Sequence, residues 1–317
     1  MKISEAGSIQ KINRPLISIV MATYNGDKFI REQIESIANQ SYKKIELIIQ
    51  DDCSSDETVN IINSQKKEFP IKLEINSKNL GFVNNFEAGL SRAQGEYVAL
   101  CDQDDIWRSD KLQKLIENIG HADLIHSDCQ LIGDMGQVLS PTWKHHLTND
   151  LTIKEFFFRN YVTGCTLLFK SELLKRAMPF PKEIEYHDWW LAILALNGNG
   201  IKYLHLPLTK YRQHLNQDTG SGENFGIFKN LIMRFDPIAR IKRKKISSQH
   251  IKNLSALLLY EDFIKFKVEI MAAIEYHKSL STRFFDWKLL PMIIKYHKNI
   301  RPFQPFSFIK GVIGEFL

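Results

Sequence analysis

The 317-residue sequence lacks long apolar runs, cysteine pairs and an apolar N-terminal segment. No stretch approaches the roughly 20 apolar residues that span a bilayer. The first fifteen residues contain charges and no apolar core, unlike a secretory signal peptide. The four cysteines form no C-x-x-C pair, so a zinc site or a disulfide framework is not predicted. We therefore expect a cytoplasmic protein with free thiols and a short tail over residues 1–15.

Charge is distributed unevenly along the chain, although the net charge is only +6. Residues 226–317 contain 17 Lys and Arg against 7 Asp and Glu, so residues 1–225 carry a net negative charge. We therefore predict an acidic domain over 16–224 and a basic, helical region over 225–317. A basic region of this kind can face an anionic surface.

Apolar, β-branched runs alternate with helix-like segments in the first 105 residues. This alternation predicts right-handed βαβ crossovers and a mainly parallel sheet. The predicted strands are 16–25, 44–52, 71–77 and 96–105, and the predicted helices are 28–40, 54–67 and 81–95.

The pattern beyond residue 110 is mixed. It predicts helices over 111–119, 171–178 and 186–196, strands over 122–132 and 161–170, and a strand pair or an extended segment over 201–214. A glycine-containing loop over 215–226 and a basic helix-like segment follow.

Polar clusters follow three of the predicted strands. They are Thr23–Asn25, Asp51–Asp52 and Asp102–Asp105. The carboxyl ends of parallel strands form the edge where open α/β sheets bind nucleotides. Three carboxylates within four positions also suggest a divalent cation that holds them together. The alternative is a solvated turn with aspartate at a helix start.

Four motifs, in this order, resemble those of the family 2 glycosyltransferases, which are inverting enzymes of the GT-A fold. They are "ISIVMATYNG", "LIIQDDCSSDET", "NLGFVNNFEAGLSRAQGEYVALCDQDDIW" and "HDWW". With "YRQH", they are similar to bacterial rhamnosyltransferases of surface polysaccharide synthesis. The resemblance covers about residues 16–220. It implies a Rossmann-like, mainly parallel sheet flanked by helices, with a donor half over 16–110, an acceptor half over 111–224 and a helical C-terminal extension.

The resemblance implies a Mn²⁺ or Mg²⁺ site. Asp104 would be the metal ligand and Asp102 a sugar or metal contact, and alternate residues of a strand share one face. His214 would ligate the metal or hold the diphosphate, and Arg212 would pair with a phosphate. Asp105 is interpreted as a helix cap. His214 and Arg212 could equally be solvated loop residues.

The resemblance also implies a nucleotide site at the first two strand ends. Thr23, Tyr24 and Asn25 would contact the nucleotide, with the tyrosine ring stacked on the base. Asp51 or Asp52 would accept the N–H of uracil or thymine, and the sequence does not distinguish between them. Asn79 and Gly81 would lie near the nucleotide, or form an ordinary turn.

Asp188 is the predicted catalytic base, because an inverting transfer needs a carboxylate to take the proton of the acceptor hydroxyl. Its alternative role is the N-cap of a buried helix. Trp189 and Trp190 are predicted to form an acceptor wall, with core packing as the alternative.

The expected reaction transfers L-rhamnose from dTDP-L-rhamnose to a growing, lipid-linked polysaccharide. A UDP-hexose or UDP-N-acetylhexosamine donor, a nucleotidyltransferase and a non-catalytic glycan or nucleotide binder are the alternatives. The basic segment 228–245 is predicted to contact a membrane surface or to be a soluble helix. No motif predicts nucleic-acid binding.

Overall fold

A computed structural model describes residues 14–67, 69–143, 147–214 and 237–282. The predicted loop 215–226 and most of the predicted N-terminal tail lie outside these ranges. Nine strands lie in the described part of the chain. They are β1 Ile17–Thr23, β2 Ile45–Asp51, β3 Ile71–Ile75, β4 Tyr97–Cys101, β5 Ile106–Trp107, β6 Leu124–Gly133, β7 Val138–Ser140, β8 Leu167–Lys170 and β9 Ile201–Gln213.

The strands form one mixed sheet in the order β3-β2-β1-β4-β8-β6-β9-β5, with β7 beside β6. The first four strands in that order run parallel, as the sequence predicts. Strand β8 is antiparallel to both β4 and β6, and β6 is parallel to β9. The carboxyl ends of β1, β2 and β4 therefore meet at one edge.

The described helices cover both faces of this sheet. They are α1 Ile30–Ala38, α2 Thr58–Gln65, α3 Phe82–Leu90, α4 Lys111–Asn118, α5 Ile153–Phe158, α6 Leu174–Ala177, α7 His187–Leu196, α8 Pro237–Leu257 and α9 Lys267–Thr282. Among the helices that the structure describes, none is both long and apolar enough to cross a bilayer.

The central strand β1 is apolar on both faces because helices cover it on both sides. Ile17, Ile19 and Met21 pack in a cluster with α1, α2 and α4. Val20 points the opposite way, into a larger cluster with α3, α5 and α7. This alternation determines which face of the sheet each side chain of β1 points to, up to its carboxyl end at Thr23.

The helices α8 and α9 extend the larger cluster and do not form a separate core. Phe263, in a 3₁₀ turn between them, lies with its ring centroid 6.5 Å from that of Trp190. Lys154 of α5 pairs with Glu269 of α9 at 2.6 Å. The predicted helical C-terminal extension is therefore present in the described range, packed against α5 and α7.

Several short elements differ from their predictions. The predicted strand 161–170 contains a 3₁₀ turn, Gly164–Thr166, before the four-residue β8. The segment 201–214 forms one 13-residue strand. The strands β5 and β7 and the helix α5 were not predicted, since elements of two to six residues show no clear periodicity.

Candidate active site

The ends of β1 and β2 are joined through one buried carboxylate. The Thr23 hydroxyl donates to Asp51 Oδ1 over 2.8 Å, and the Ser54 amide donates to Asp51 Oδ2 over 2.8 Å. The Ser54 hydroxyl also donates to Asp51 Oδ1, over 2.6 Å. Asp51 is fully buried, so its carboxylate ties the two strand ends together.

Asp52 organises the loop that leads into α3. Its Oδ1 accepts from Asn76 Nδ2 and from the Leu80 amide, each over 2.8 Å. Its Oδ2 accepts from the Gly81 amide, also over 2.8 Å. Gly81 has a φ of 82°, which favours glycine, and it is the N-cap of α3. Asn79 Oδ1 accepts from the same amide over 3.1 Å.

Tyr24 and Asn25 extend from β1 above these two aspartates. Tyr24 is 47% exposed, so its ring is accessible for stacking on a planar ligand group. Asn25 has a φ of 46°, and its Oδ1 accepts from the Ser55 amide over 2.9 Å. The polar residues predicted at the first two strand ends are thus linked by hydrogen bonds, and Tyr24 between Thr23 and Asn25 is exposed.

A turn after β4 carries the acidic cluster. Strand β4 ends at Cys101, so Asp102 and Asp104 lie on a turn and not on alternate positions of a strand. Asp104 Oδ2 lies 2.7 Å from His214 Nε2, which follows β9. Two residues 110 positions apart thus meet, as the shared-metal prediction requires.

Arg212 is only 2% exposed and packs against this turn. Its Nε donates to the carbonyl oxygen of Asp104 over 2.8 Å, and one terminal nitrogen pairs with Glu32 at 2.6 Å. Its guanidinium also lies 4.5 Å from the Phe29 ring centroid. These contacts turn the guanidinium towards protein groups. Arg212 therefore positions Asp104 in the described structure, and its contact with a phosphate stays a prediction.

The acidic cluster is electrostatically unfavourable as it stands. Burial raises the pKa of Asp102 and of Asp105, and the Asp104 carboxylate raises both further. A second buried cation is Lys111, whose charge lowers the pKa of Asp102 and whose Nζ lies 3.4 Å from the Trp107 ring centroid. Burial lowers the pKa of Lys111 to about 8. Proximity and burial thus disfavour the charged form of these carboxyls, and a bound cation would favour it.

Asp105 is not a helix cap. Its Oδ1 accepts from the Arg212 amide over 3.0 Å, and its Oδ2 is buried with no partner among the described residues. The helix α4 begins later, with Asp110 at its N-cap position.

Two sets of potential ligands for a metal lie in this cluster. Ligand atoms of Asp102, Asp105 and Cys165 lie within 4.8 Å of one another. However, burial raises the pKa of the Cys165 thiol, and a protonated thiol is a poor ligand for Mn²⁺ or Mg²⁺. The pair Asp104 and His214 offers a carboxylate oxygen and an imidazole nitrogen, which suit Mn²⁺, and Asp102 is near enough for the Asp104 charge to raise its pKa. The residues present therefore fit the predicted cation.

Asp188 lies in the first turn of α7, close enough to Asp102 for its charge to raise the pKa of that carboxyl. Asp188 Oδ1 accepts from the Trp189 amide over 2.7 Å and from Asn160 Nδ2 over 3.1 Å. Its Oδ2 accepts no hydrogen bond from a described residue. One oxygen is therefore held while the other is available as a base. The N-cap of α7 is Tyr186, so Asp188 is not the cap.

His187 and Gly164 pack beside the predicted base. The His187 ring stacks on Phe86 with a centroid distance of 4.1 Å, and burial lowers its pKa. A Cβ on Gly164 would lie 3.0 Å from His187 Nε2 and 3.8 Å from Asp188 Cβ. The 3₁₀ turn at Gly164 therefore needs a residue without a side chain to pass this close to α7.

The predicted acceptor wall of two tryptophans is wrong. Trp189 and Trp190 are both fully buried. Trp189 Nε1 donates to the carbonyl oxygen of Phe156 over 2.8 Å, and Trp190 Nε1 donates to that of Ala177 over 3.1 Å. Both rings are parts of the hydrophobic core, and neither reaches a cleft.

Sequence reasoning missed several residues that hold the site. They are Glu32, Ser54, Asn76, Gln103, Lys111, Asn160 and Gly164. Gln103 is the middle residue of the Asp-x-Asp motif, and this position is the one feature of the sequence that could have indicated a role for it. The others lie on ordinary helices and loops, where nothing in the local pattern distinguishes them.

Comparison with known sequences assigns the chain to a family. The pattern of the family described as "Glycosyl transferase family 2" matches residues 18–176, half of the chain. The chain belongs to glycosyltransferase family 2. It is therefore an enzyme that transfers a sugar to a glycan, and the matched range includes the strand ends and the acidic turn described above.

Relatives of known sequence agree with this assignment. A protein of Haemophilus influenzae described as an uncharacterized glycosyltransferase is 27% identical over 311 residues, covering 91% of this chain and 93% of the relative. The dTDP-rhamnosyl transferase RfbG of Shigella flexneri is 30% identical over 226 residues, covering 65% of this chain and 75% of the relative.

Solved structures show the same GT-A fold. S. aureus TarS 1–349, in complex with UDP-GlcNAc, has a TM-score of 0.56 at 19% identity and covers 90% of this chain and 88% of its own. The mannosyltransferase PcManGT of Pyrobaculum calidifontis, in complex with GDP-Man and Mn²⁺, has a TM-score of 0.58 at 15% identity. That match covers 96% of this chain and 85% of the mannosyltransferase.

Proposed function

We propose that this glycosyltransferase moves L-rhamnose from dTDP-L-rhamnose to a growing, lipid-linked cell-surface polysaccharide, with inversion at the anomeric carbon. The observation that carries the catalytic part is the contact between Asp104 and His214 at 2.7 Å, with Asp102 close enough to both Asp104 and Asp188 for their charges to raise its pKa. Similarity to a dTDP-rhamnosyl transferase supports the choice of donor.

Asp188 acts as the general base. Asn160 and the Trp189 amide hold its Oδ1, which leaves Oδ2 to take the proton of the acceptor hydroxyl. As the proton leaves, the acceptor oxygen attacks the anomeric carbon and the bond to the diphosphate breaks. The base and the leaving group must stand on opposite sides of the sugar, as Asp188 and Asp104 can from α7 and the β4 turn.

Asp104 and His214 would hold Mn²⁺ or Mg²⁺, with Asp102 as a further ligand or a sugar contact. When bound, the cation supplies the positive charge that stabilises the departing diphosphate. Arg212 and Glu32 fix the Asp104 turn, so that its carboxylate points towards His214 and does not have to reorganise during transfer.

The nucleotide base would stack on Tyr24 above the two buried aspartates. Asp52 Oδ2 accepts a single hydrogen bond in the described structure, and a second acceptor position remains on that oxygen. Asp51 already accepts three bonds that join β1 to β2. We therefore assign the base contact to Asp52, with Asn79 and Gly81 at the edge of the base.

A UDP-hexose or UDP-N-acetylhexosamine donor is the second candidate. It is favoured by the similarity to TarS, whose structure contains UDP-GlcNAc. Both candidates use the same catalytic base, the same cation site and a pyrimidine nucleotide. They differ in the transferred sugar, in the 5-methyl group of the pyrimidine and in the 2′-hydroxyl of the pentose.

Nucleotide release from a panel of nucleotide sugars, with water or a glycan as acceptor, tests this proposal. We expect Mn²⁺-dependent release of dTDP from dTDP-L-rhamnose, and a rate reduced by a factor of about 10² to 10⁴ in Asp188→Asn. The variant should still bind dTDP. An active Asp188→Asn enzyme would contradict the assigned base, and activity with UDP-sugars alone would replace the donor.

We also propose that α8 and α9 contact an anionic membrane surface. Residues 237–282 contain nine Lys and Arg against four Asp and Glu. Leu259, Ile264, Val268 and Met271 are exposed there, and the last three recur at helical spacing. Val268 and Met271 lie on α9 and Ile264 in the 3₁₀ turn before it, whereas most of the basic residues lie on α8. Exposed apolar residues together with basic charge are the chemistry of an interfacial helix. The first half of the predicted segment 228–245, residues 228–236, lies outside the described residues, and the second half lies in α8.

Sedimentation with vesicles of phosphatidylcholine, with and without phosphatidylglycerol, tests the membrane contact. We expect binding only to the anionic vesicles, and weaker binding by Val268→Ser with Met271→Ser. The matched control is Val138→Ser with Leu139→Ser, which removes another exposed apolar pair from β7. Equal binding by both double variants would contradict the proposed face.

A further inference from the structure

The middle residue of the Asp-Gln-Asp turn is bonded to the loop that carries Tyr24. The Tyr24 amide donates to Gln103 Oε1 over 2.9 Å, and Gln103 Nε2 donates to the Tyr24 carbonyl oxygen over 3.0 Å. One side-chain amide thus pairs with both backbone groups of one residue, 79 positions away. The turn that bears Asp102 and Asp104 is thereby joined to the residue that would stack on the base.

The chemistry of this contact selects glutamine. A backbone amide only donates and a carbonyl oxygen only accepts, so the side chain must offer one acceptor and one donor. A glutamate would place a carboxylate oxygen against the Tyr24 carbonyl oxygen. An apolar side chain of similar length, such as methionine, would make neither bond. The amide orientation follows from the two backbone partners and has no alternative with both satisfied.

Gly26 provides the space for the Gln103 side chain. A Cβ on Gly26 would lie 2.2 Å from Gln103 Oε1 and 2.4 Å from Cδ, so a larger residue would displace the amide. The Gly26 amide donates to Thr58 Oγ1 over 2.7 Å, which holds the loop against α2. The backbone on both sides of Tyr24 is therefore fixed, while its ring stays exposed.

We propose that Gln103 is a positioning residue that couples the metal-binding turn to the base-binding Tyr24. This inference rests on the proposed function, in which one donor molecule contacts both places through its diphosphate and its base. When the amide holds the two loops in register, binding of the base prepares the turn for the cation and diphosphate. Without it, each loop must be ordered separately, and donor affinity falls.

The test compares Gln103→Met and Gln103→Glu with wild type, by donor KM, kcat and melting temperature. Gln94→Met is the matched control, since Gln94 is exposed between α3 and β4 at the opposite edge of the sheet. We expect Gln103→Met to raise the donor KM about tenfold, as two lost hydrogen bonds allow, with kcat changed less than about twofold. Gln103→Glu keeps one bond and tests the effect if Gln103→Met does not fold.

A double-mutant cycle with Tyr24→Ala separates coupling from a general structural effect. If Gln103 acts through Tyr24, then Gln103→Met changes the donor KM by less than about twofold in the Tyr24→Ala background. A tenfold effect in both backgrounds, or an unchanged KM in the single variants, would overturn the inference while leaving the proposed function intact. Failure of the wild-type enzyme to bind any nucleotide diphosphate would overturn both.

Discussion

At the scale of single residues, the site depends on side chains that hold other side chains. Arg212 positions Asp104 through its main-chain oxygen, and Asn160 holds one oxygen of Asp188. These supporting contacts restrict the functional carboxylates to one orientation each. Such restriction lowers the reorganisation needed when charge develops during transfer.

The buried Trp189 and Trp190 should affect stability and leave acceptor binding unchanged. We expect Trp189→Phe to lower the free energy of unfolding by about 1–3 kcal/mol, since it removes a buried hydrogen bond and leaves a void. The acceptor KM of the folded enzyme should stay within about twofold. Urea unfolding and steady-state kinetics check this, with Trp190→Phe expected to behave in the same way. A raised acceptor KM at unchanged stability would restore the acceptor-wall role.

Sequence patterns located the ligand-bearing strand ends, but they could not assign each side chain. The sequence 186–196 is apolar around the whole helix, which indicates burial. Each residue of a helix is rotated by about 100° from the one before it, and Trp189 and Trp190 directly follow Asp188. The three side chains therefore point in different directions. The role of Arg212 was not predictable, because it depends on β9 running beside β6 and beneath the acidic turn.

At the scale of elements, α8 and α9 complete the core beneath the base-bearing helix α7. The Trp190 ring lies 5.4 Å from Tyr260, between centroids, and the Glu185 amide donates to Asn253 Oδ1 over 2.7 Å. The orientation of α7, and with it that of Asp188, therefore depends on the helical pair.

Phe263 and Ile264 offer a matched test of this dependence. Phe263 is 1% exposed and packs against α7, whereas Ile264 is 59% exposed. We expect Phe263→Ala to destabilise the protein by about 3–5 kcal/mol, and Ile264→Ala to change stability by less than about 0.5 kcal/mol. Chemical unfolding measures both. Equal effects would show that the helical pair is not part of the core.

Acidification should loosen the same pair of helices. Burial lowers the pKa of His250 to about 4, and that of His277, stacked on it with a centroid distance of 4.7 Å, is lowered as well. Between about pH 4 and pH 6.5 the unfolded chain binds more protons, so stability falls as the pH falls. His250 alone accounts for about 2 kcal/mol at pH 5.

Urea unfolding at pH 7 and pH 5 tests this prediction. His250→Phe should reduce the pH dependence, and the exposed His121→Gln should leave it unchanged. If the wild-type protein is equally stable at both pH values, then His250 and His277 are not buried in their neutral forms.

The longer elements were predictable and the shortest were not. The strands β1, β2 and β4 have apolar runs with polar ends, and the helices between them carry periodic apolar residues, which together indicate parallel strands. In contrast, β5 has two residues and β7 has three, too few for any period. Strand β8 is preceded by a 3₁₀ turn because Gly164 passes close to α7, a contact that local sequence does not reveal.

At the scale of the whole molecule, the acidic and basic parts of the chain are not separate bodies in the described structure. The predicted boundary at residues 224 and 225 lies outside the described ranges, and the helices beyond it share the core of the catalytic half. The two parts of the chain differ in net charge, but their described residues share one hydrophobic cluster.

The central claim is that the carboxylates at the β4 turn bind a nucleotide diphosphate through a cation. Calorimetric titration of dTDP and of UDP, with Mn²⁺ or with EDTA, into wild type and Asp104→Asn tests it most directly. The control is Asp134→Asn, a nearby aspartate paired with Lys28 at 2.6 Å. We expect binding of at least one nucleotide with Mn²⁺, weakened about tenfold or more by EDTA or by Asp104→Asn, and unchanged in the control. Equal affinity with and without Mn²⁺, or in Asp104→Asn, would contradict the account.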